Sequence, residues 1–268
     1  MLKDITLGQF FPGKSPIHRL DPRTKLMMLI LYIVLLFVAS NWISYALMAV
    51  FLLIVIKIST IPFKSIVRGL KPVVFILIFT GLLNLFFTKG GKVLVSFWGL
   101  SITTVGVERA LFMVTRILML ITGTFLLTYT TSPISLTDGL ESLMKPLKKI
   151  HVPVHELSMM MCIALRFIPT LIEETDKIMS AQKARGADFE SGSLIQRAKA
   201  LVPILVPLFI SAFRRADELA TAMECRCYQG DVGRTKMKLL RYSRLDVNAL
   251  LVAAVLTAGM VTLKVLGL

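Results

Sequence analysis

The sequence predicts an all-α polytopic membrane protein with about five transmembrane helices and a further set of cytoplasmic amphipathic helices. Three observations carry that prediction. The 268 residues are 55% hydrophobic with a mean hydropathy of +0.75, above the about 45–50% apolar content of soluble domains. Several uncharged apolar runs approach the roughly 20 residues that cross a bilayer. Finally, lysine and arginine flank those runs, as they do at cytoplasmic ends. The net charge of +15 is therefore read as a topology signal, and nucleic acid is not an expected partner.

Residues 1–25 carry Lys3, Lys14, Arg19, Arg23 and Lys25 and no small-residue cleavage site, so no cleavable signal peptide is expected. From Leu26 to Ile56 the chain runs 31 residues without a charge. A single helix of that length would measure about 46 Å at 1.5 Å per residue, too long for a ~30 Å core. Lys25 and Arg23 stand on one side, and Lys57, Lys64, Arg68 and Lys71 on the other. Two cytoplasmic flanks require an even number of crossings, so two spans turn near Ser40 and Asn41, with Trp42 and Tyr45 as interfacial aromatics.

A third span starts at Pro72, a residue suited to a helix start, and runs to about Thr88. The segment "KGGKVLVSFWGLSITTVG", with its glycines and alternating apolar residues, reads as an external hairpin-like loop. A fourth span covers about Val107 to Tyr129, and a fifth Val247 to Leu266. The N-terminus is expected inside and the C-terminus outside.

The stretch between spans four and five differs in character. Thr131 to Leu245 holds 17 Lys and Arg against 12 Asp and Glu. "TSPISLTDGLESLMKPLKKI" opens with a helix cap and contains Pro146, a kink or break. Leu157, Met161, Ala164, Ile168, Leu171, Thr175 and Ile178 then recur at steps of three and four, the mark of an amphipathic helix. Leu194, Ala198, Leu201, Leu205, Leu208, Ala212, Leu219 and Met223 repeat the pattern. Each of these helices is too charged to span and too apolar to stand alone in water.

Both helices end on a bare arginine. The first closes with Ala184-Arg185-Gly186 inside "QKARGADF", and the second with Cys225-Arg226-Cys227 inside "MECRCYQG". A cation near a helix C-terminus is favoured by the macrodipole, about 0.3–1 kcal/mol each. Two matched sites with small flanks point further, because the guanidinium fork suits carboxylates and interface ion pairs.

The chain resembles the T component of energy-coupling factor (ECF) transporters, the transmembrane coupling subunit of vitamin and metal-ion importers. "SPIHRLDPRTKL" (15–26) resembles the family's N-terminal signature. "ALRFIPTLIEE" and "AQKARGADF" are similar to the middle of its coupling domain, and "AMECRCYQGD" to its second arginine motif. The resemblance covers essentially the whole chain. It implies a membrane part (1–130), a cytoplasmic coupling domain (131–245) and a final transmembrane helix (246–268).

It also implies that Ala184, Arg185 and Gly186, and Cys225, Arg226 and Cys227, dock into two non-identical ABC-type ATPase subunits. A small membrane subunit, or several exchanging ones, would bind the substrate. The second motif departs from the family pattern by carrying Cys227 where glycine is expected, which bears on its turn. ATP and magnesium would belong to the partners: "TKGGK" (88–92) lacks the spacing and final Ser or Thr of a P-loop, so this chain is expected to be neither an enzyme nor a cofactor binder.

Other constellations read as structural. Pro153 spoils the helical spacing of His151 and His155, leaving them as loop histidines. Cys225 and Cys227 have no second ligand pair for zinc. "SMMMC" (158–162) serves either core filling or a surface that repacks. In the fourth span, Arg109 beside Glu108 marks an interface. Arg116 lies deeper and is either functional or structural, snorkelling or pairing with a group such as Asn84. A self-contained secondary transporter is the alternative reading, but neither an internal repeat nor paired broken spans support it. The spans hold no cluster of His, Asp or Glu for a membrane enzyme.

Overall fold

The structure is a computed structural model describing residues 10–88, 90, 92–97, 100–189, 193–230 and 239–266. Lys3, Lys89 and Leu268, used above for charge and topology, lie outside them. The chain divides into two compact units, Gly8–Leu140 with Leu240–Leu268, and Glu141–Leu239.

The first unit is a helical membrane bundle. A single turn, α1 (Pro16–Arg19), is capped by Ser15 and leads into α2 (Pro22–Val38). Asp21 is the N-cap of α2, accepting from Arg23 N at 2.9 Å, and Pro22 occupies the first turn, where its missing N–H costs nothing. Burial in α1 pushes the His18 pKa below its ordinary 6.5, against the opposing hydrogen bond that the ring donates to the Phe11 carbonyl. Helix α2 stops at Val38 and α3 (Trp42–Ser59) begins after Asn41, which places the expected turn at Ser40 and Asn41.

The stretch α4 (Phe63–Leu70) was not foreseen as a helix. A 3-10 turn at Lys71–Val73 joins it to α5 (Val74–Phe87), so Pro72 sits in a bend within a longer helical run. The expected hairpin is present: β1 (Val93–Phe97) pairs antiparallel with β2 (Leu100–Thr103), Ser96 opposite Ser101. Thr103 then caps α6 (Thr104–Thr130), accepting from Gly106 N at 3.1 Å. Two later helices are α7 (Pro133–Met144) and α10 (Arg244–Val265).

The core of this unit gathers Tyr32, Leu36, Met48, Met119 and Met260 from α2, α3, α6 and α10. The Tyr32 hydroxyl donates to Met119 O at 3.2 Å. A Cβ on Gly123 would lie 2.7 Å from the Tyr32 ring, so only glycine lets α6 approach α2 this closely, as small residues do between membrane helices.

The second unit holds α8 (Val154–Ala184) and α9 (Leu194–Glu224). Pro146 falls in a 3-10 turn at Lys145–Ile150 that breaks the helix after Met144, as its ring requires. His151 lies in the turn with a left-handed φ of 61°. His155 is helical, correcting the loop reading, because Pro153 precedes the helix rather than interrupting it. Its Nδ1 lies 3.4 Å from Glu141 Oε1, and the Ser158 hydroxyl donates to Glu141 Oε2 at 3.0 Å.

Among the described residues six helical segments are long and apolar enough to cross a membrane. Four correspond to expected spans: α3, the α4–α5 run, α6 and α10. The other two are α8 and α9, each of which keeps a long, nearly uncharged apolar stretch despite the charges elsewhere along it. The remaining expected span, α2, is 17 residues long.

Candidate docking tips

The packed row of α8 keeps Leu171 of the predicted one but otherwise departs from it. Ile163, Phe167 and Leu171 line an apolar cavity with Ala212, Ala216, Leu219 and Met223 of α9. Leu157, Met161 and Ala164, named from periodicity, are exposed. The run "LSMMMCIALRFI" is apolar on almost every side, so its period alone does not single out one face. In α9 the predicted Ala212, Leu219 and Met223 do pack there, whereas Leu201 and Leu205 are exposed.

Polar contacts fix the overlap. Arg215 Nη2 donates to Glu174 Oε2 at 3.1 Å, and its guanidinium lies over the Phe167 ring, 5.7 Å from the centroid. Ser211 stands beside the same carboxylate. Later residues of α8 thus meet earlier residues of α9, an antiparallel overlap. Arg185 follows Glu174 by eleven residues and Arg226 follows Arg215 by eleven. The two tips therefore leave the overlap at opposite ends, each about 16 Å along its helix from the ion pair.

The tips share one backbone form. At the first, Gly186 N donates to Lys183 O at 3.0 Å and Ala187 N to Gln182 O at 3.0 Å, with Gly186 at φ 88°. At the second, Cys227 N donates to Glu224 O at 2.8 Å and Tyr228 N to Met223 O at 3.1 Å, with Cys227 at φ 56°. Both are Schellman closures, with the residue after the arginine in the left-handed region. Cys227 thus holds the turn that Gly186 holds, and the departure from glycine leaves the backbone unaltered.

Ala184, Arg185, Gly186, Cys225, Arg226 and Cys227 are all exposed. Among the described residues neither tip guanidinium has a hydrogen bond or ion pair. A Cβ at Gly186 would meet nothing within 4 Å, so the space beside Arg185 is open. Each tip presents an uncompensated planar cation on a fixed turn, suited to carboxylates or carbonyls in a partner's groove.

Arg116 is placed elsewhere, in the membrane unit. It donates to the Tyr45 hydroxyl and to Ala39 O. The suggested partner Asn84 instead donates to Thr80 O of its own helix, because residues four apart on α5 meet without help from α6.

A family model described as cobalt transport protein, CbiQ, matches residues 13–238. The chain is 56% identical over 258 residues to the energy-coupling factor transporter transmembrane protein EcfT of Thermosediminibacter oceani, covering 96% of this chain and 97% of that one. The chain belongs to the ECF transporter transmembrane (T) component family. The similarly named proteins of Clostridium kluyveri, 57% identical over 96% of this chain and 95% of theirs, and Bacillus subtilis, 48% over 96% and 97%, place it there too. As a T component it is a multi-pass membrane protein of a transport system. Sequence reasoning missed α4 and the Glu174–Arg215 pair. A carboxylate and an arginine on successive amphipathic helices, each eleven residues before a tip, were the available signal for the pair.

Proposed function

We infer that this chain is the coupling subunit of an ECF-type importer in the cell membrane, transmitting ATP-driven movement of two ATPase subunits to a separate membrane subunit that binds the substrate. The first unit lies in the bilayer, N-terminus inside and C-terminus outside, while α8 and α9 form the cytoplasmic coupling domain. Charges in those two helices, Glu173, Glu174, Asp176 and Lys177 in one and Arg214, Arg215, Asp217 and Glu218 in the other, favour that placement over spanning. ATP and magnesium are held by the partners, and the cargo is a vitamin or another micronutrient.

The supporting observation is the pair of matched tips: one turn type, one exposed arginine each, equal arms from the Glu174–Arg215 pair and opposite ends of the overlap. Such an arrangement addresses two partners at once, and the different flanks suit two non-identical ATPases. Losing one member of a buried charged contact costs about 2–5 kcal/mol. Arg185→Ala or Arg226→Ala therefore each weaken recovery of one ATPase in a pull-down and lower uptake. The double variant loses more, and lysine rescues poorly because it lacks the fork. Intact complexes with normal uptake in the double variant would sink this reading.

A further inference from the structure

The N-terminal signature has no role in the docking just described, yet its residues are among the most buried polar groups of the chain. Thr24 is fully buried, and Asp21, Lys25 and Asp246 are nearly so. Their contacts divide into two sets.

One set holds the segment by which the chain leaves the membrane unit. Lys25 Nζ donates to Thr130 O at 2.9 Å and to Thr131 Oγ1 at 3.2 Å, at the end of α6. On α7, a Cβ at Gly139 would come within 2.9 Å of Pro22 Cβ and 3.3 Å of Arg23 N, so α7 rests directly on the first turn of α2. The other set holds the segment by which the chain returns. Arg23 Nη2 donates to Leu240 O at 2.8 Å, and its guanidinium lies 4.9 Å from the Tyr242 ring centroid. Asp246 Oδ1 accepts from Asp21 N at 2.8 Å, while Oδ2 accepts from Ser243 N at 2.7 Å and Ser243 Oγ at 2.9 Å. Five consecutive residues, Asp21–Lys25, thus grip both connections between the membrane unit and Glu141–Leu239.

We propose that Asp21–Lys25, with Asp246, is a positioning clamp that makes both connections move with the first turn of α2, so that displacement of the coupling helices reaches the membrane bundle. The proposal rests on the coupling role inferred above. A fixed charge suits this task because main-chain carbonyls at chain crossings have no helical partner of their own, and hydrogen bonds to charged groups outweigh neutral ones. With the grip released, the connecting segments absorb the motion locally, and hydrolysis proceeds without transport.

The test uses the full reconstituted transporter with Arg23→Gln, Lys25→Met and Asp246→Asn, reading complex recovery, ATP hydrolysis and uptake separately. The expected result is recovery and hydrolysis near wild type, with uptake per ATP reduced about tenfold, the scale of one lost charge-assisted hydrogen bond. Should Lys25→Met fail to assemble, Arg23→Gln carries the test, because the Asp21 carboxylate that loses its 3.4 Å ion pair still caps α2 by accepting from the main-chain N–H of residue 23. Unchanged uptake per ATP in Arg23→Gln, or uptake falling only in proportion to complex recovered, overturns the proposal.

Hydrogen exchange on the chain without its ATPases supplies a second reading. Amides of Thr131–Leu140 and Leu240–Val247 are expected to exchange about tenfold faster in Arg23→Gln, and unchanged exchange there also overturns the clamp. Because the tip variants lose complexes and the clamp variants keep them, failure of the docking reading and failure of the clamp give different results.

Discussion

Arg116 Nε on α6 donates to the Tyr45 hydroxyl on α3 at 2.7 Å, while its Nη2 reaches Ala39 O, the C-cap of α2, at 3.2 Å. At the other end of the same helix pair, Lys25 of α2 reaches Thr130 O of α6. The reciprocal contacts lie fourteen residues apart on both helices, a matched length of about 21 Å. Helix α6 therefore runs on past the α2–α3 turn, and Arg116 bonds to residues on both sides of that turn. Phe37 and Tyr45 cover its guanidinium at 5.5 and 5.8 Å.

The first prediction follows from that fastening. Arg116→Ala leaves a carbonyl and a hydroxyl without their donor and should cost about 1.5–3 kcal/mol. Tyr45→Phe removes one of the two bonds and should cost about 1 kcal/mol, with Arg116→Lys in between. Thermal unfolding in detergent measures the series, with Trp42 fluorescence as a local probe because its ring stacks 4.3 Å from Phe112. Equal midpoints for wild type and Arg116→Ala would remove the role.

A second prediction concerns the two closing turns. A left-handed φ costs a residue with a Cβ about 1 kcal/mol and glycine almost nothing. Cys227→Gly should therefore tighten the second tip by about that amount, slowing exchange of the Tyr228 amide about fivefold. Gly186→Ala should loosen the first and speed the Ala187 amide by a similar factor. The space beside Gly186 is empty, so the loss reports backbone conformation alone. Opposite signs would mean that the turns are held by something other than φ.

Orientation is tested by labelling. The basic flanks put Lys64 and Lys145 inside and Lys92 outside. Cysteine at 92 should react with an impermeant thiol reagent applied to whole cells, and cysteines at 64 and 145 should not. Labelling at 64 without labelling at 92 reverses the topology.

How much was legible in the sequence depended on whether the signal was local. The turn between α2 and α3 was readable because 31 uncharged residues cannot form one span and Ser40 and Asn41 break the run. The tips were readable because an arginine with small neighbours before Gly186 or Gly230 announces a helix end. The packed face of α8 was not, since a helix apolar on nearly all sides has no unique face until a partner chooses one. Nor was the partner of Arg116: Tyr45 is 71 residues away, and only the matched lengths of α2 and α6 bring the two together. For the same reason Asp21–Lys25 gave a signature without a role. Its partners, Thr130, Leu240 and Asp246, are contributed by two distant segments.

The last prediction tests the crossing that sets the tips apart. Glu174 and Arg215 are only about three-quarters covered, with side-chain exposures of 25% and 29%, so solvent screening reduces their pairing to about 0.2–1 kcal/mol. Its value to the protein is geometric. Arg215 also packs on Phe167, and its Nη1 is buried without a hydrogen bond among the described residues, so the guanidinium is held at one place along α8. Glu174→Ala and Arg215→Ala should each cost little overall stability yet reduce uptake per ATP, because the overlap can then slide and alter the spacing of the arginines. Exchanging the charges, Glu174→Arg with Arg215→Glu, should restore part of the loss, while either charge change alone should be worse than alanine. Uptake per ATP across wild type, the two single charge changes and the exchanged pair, with ATPase recovery as the control, decides the matter. An exchanged pair no better than its worse single variant would show that apolar packing alone fixes the register.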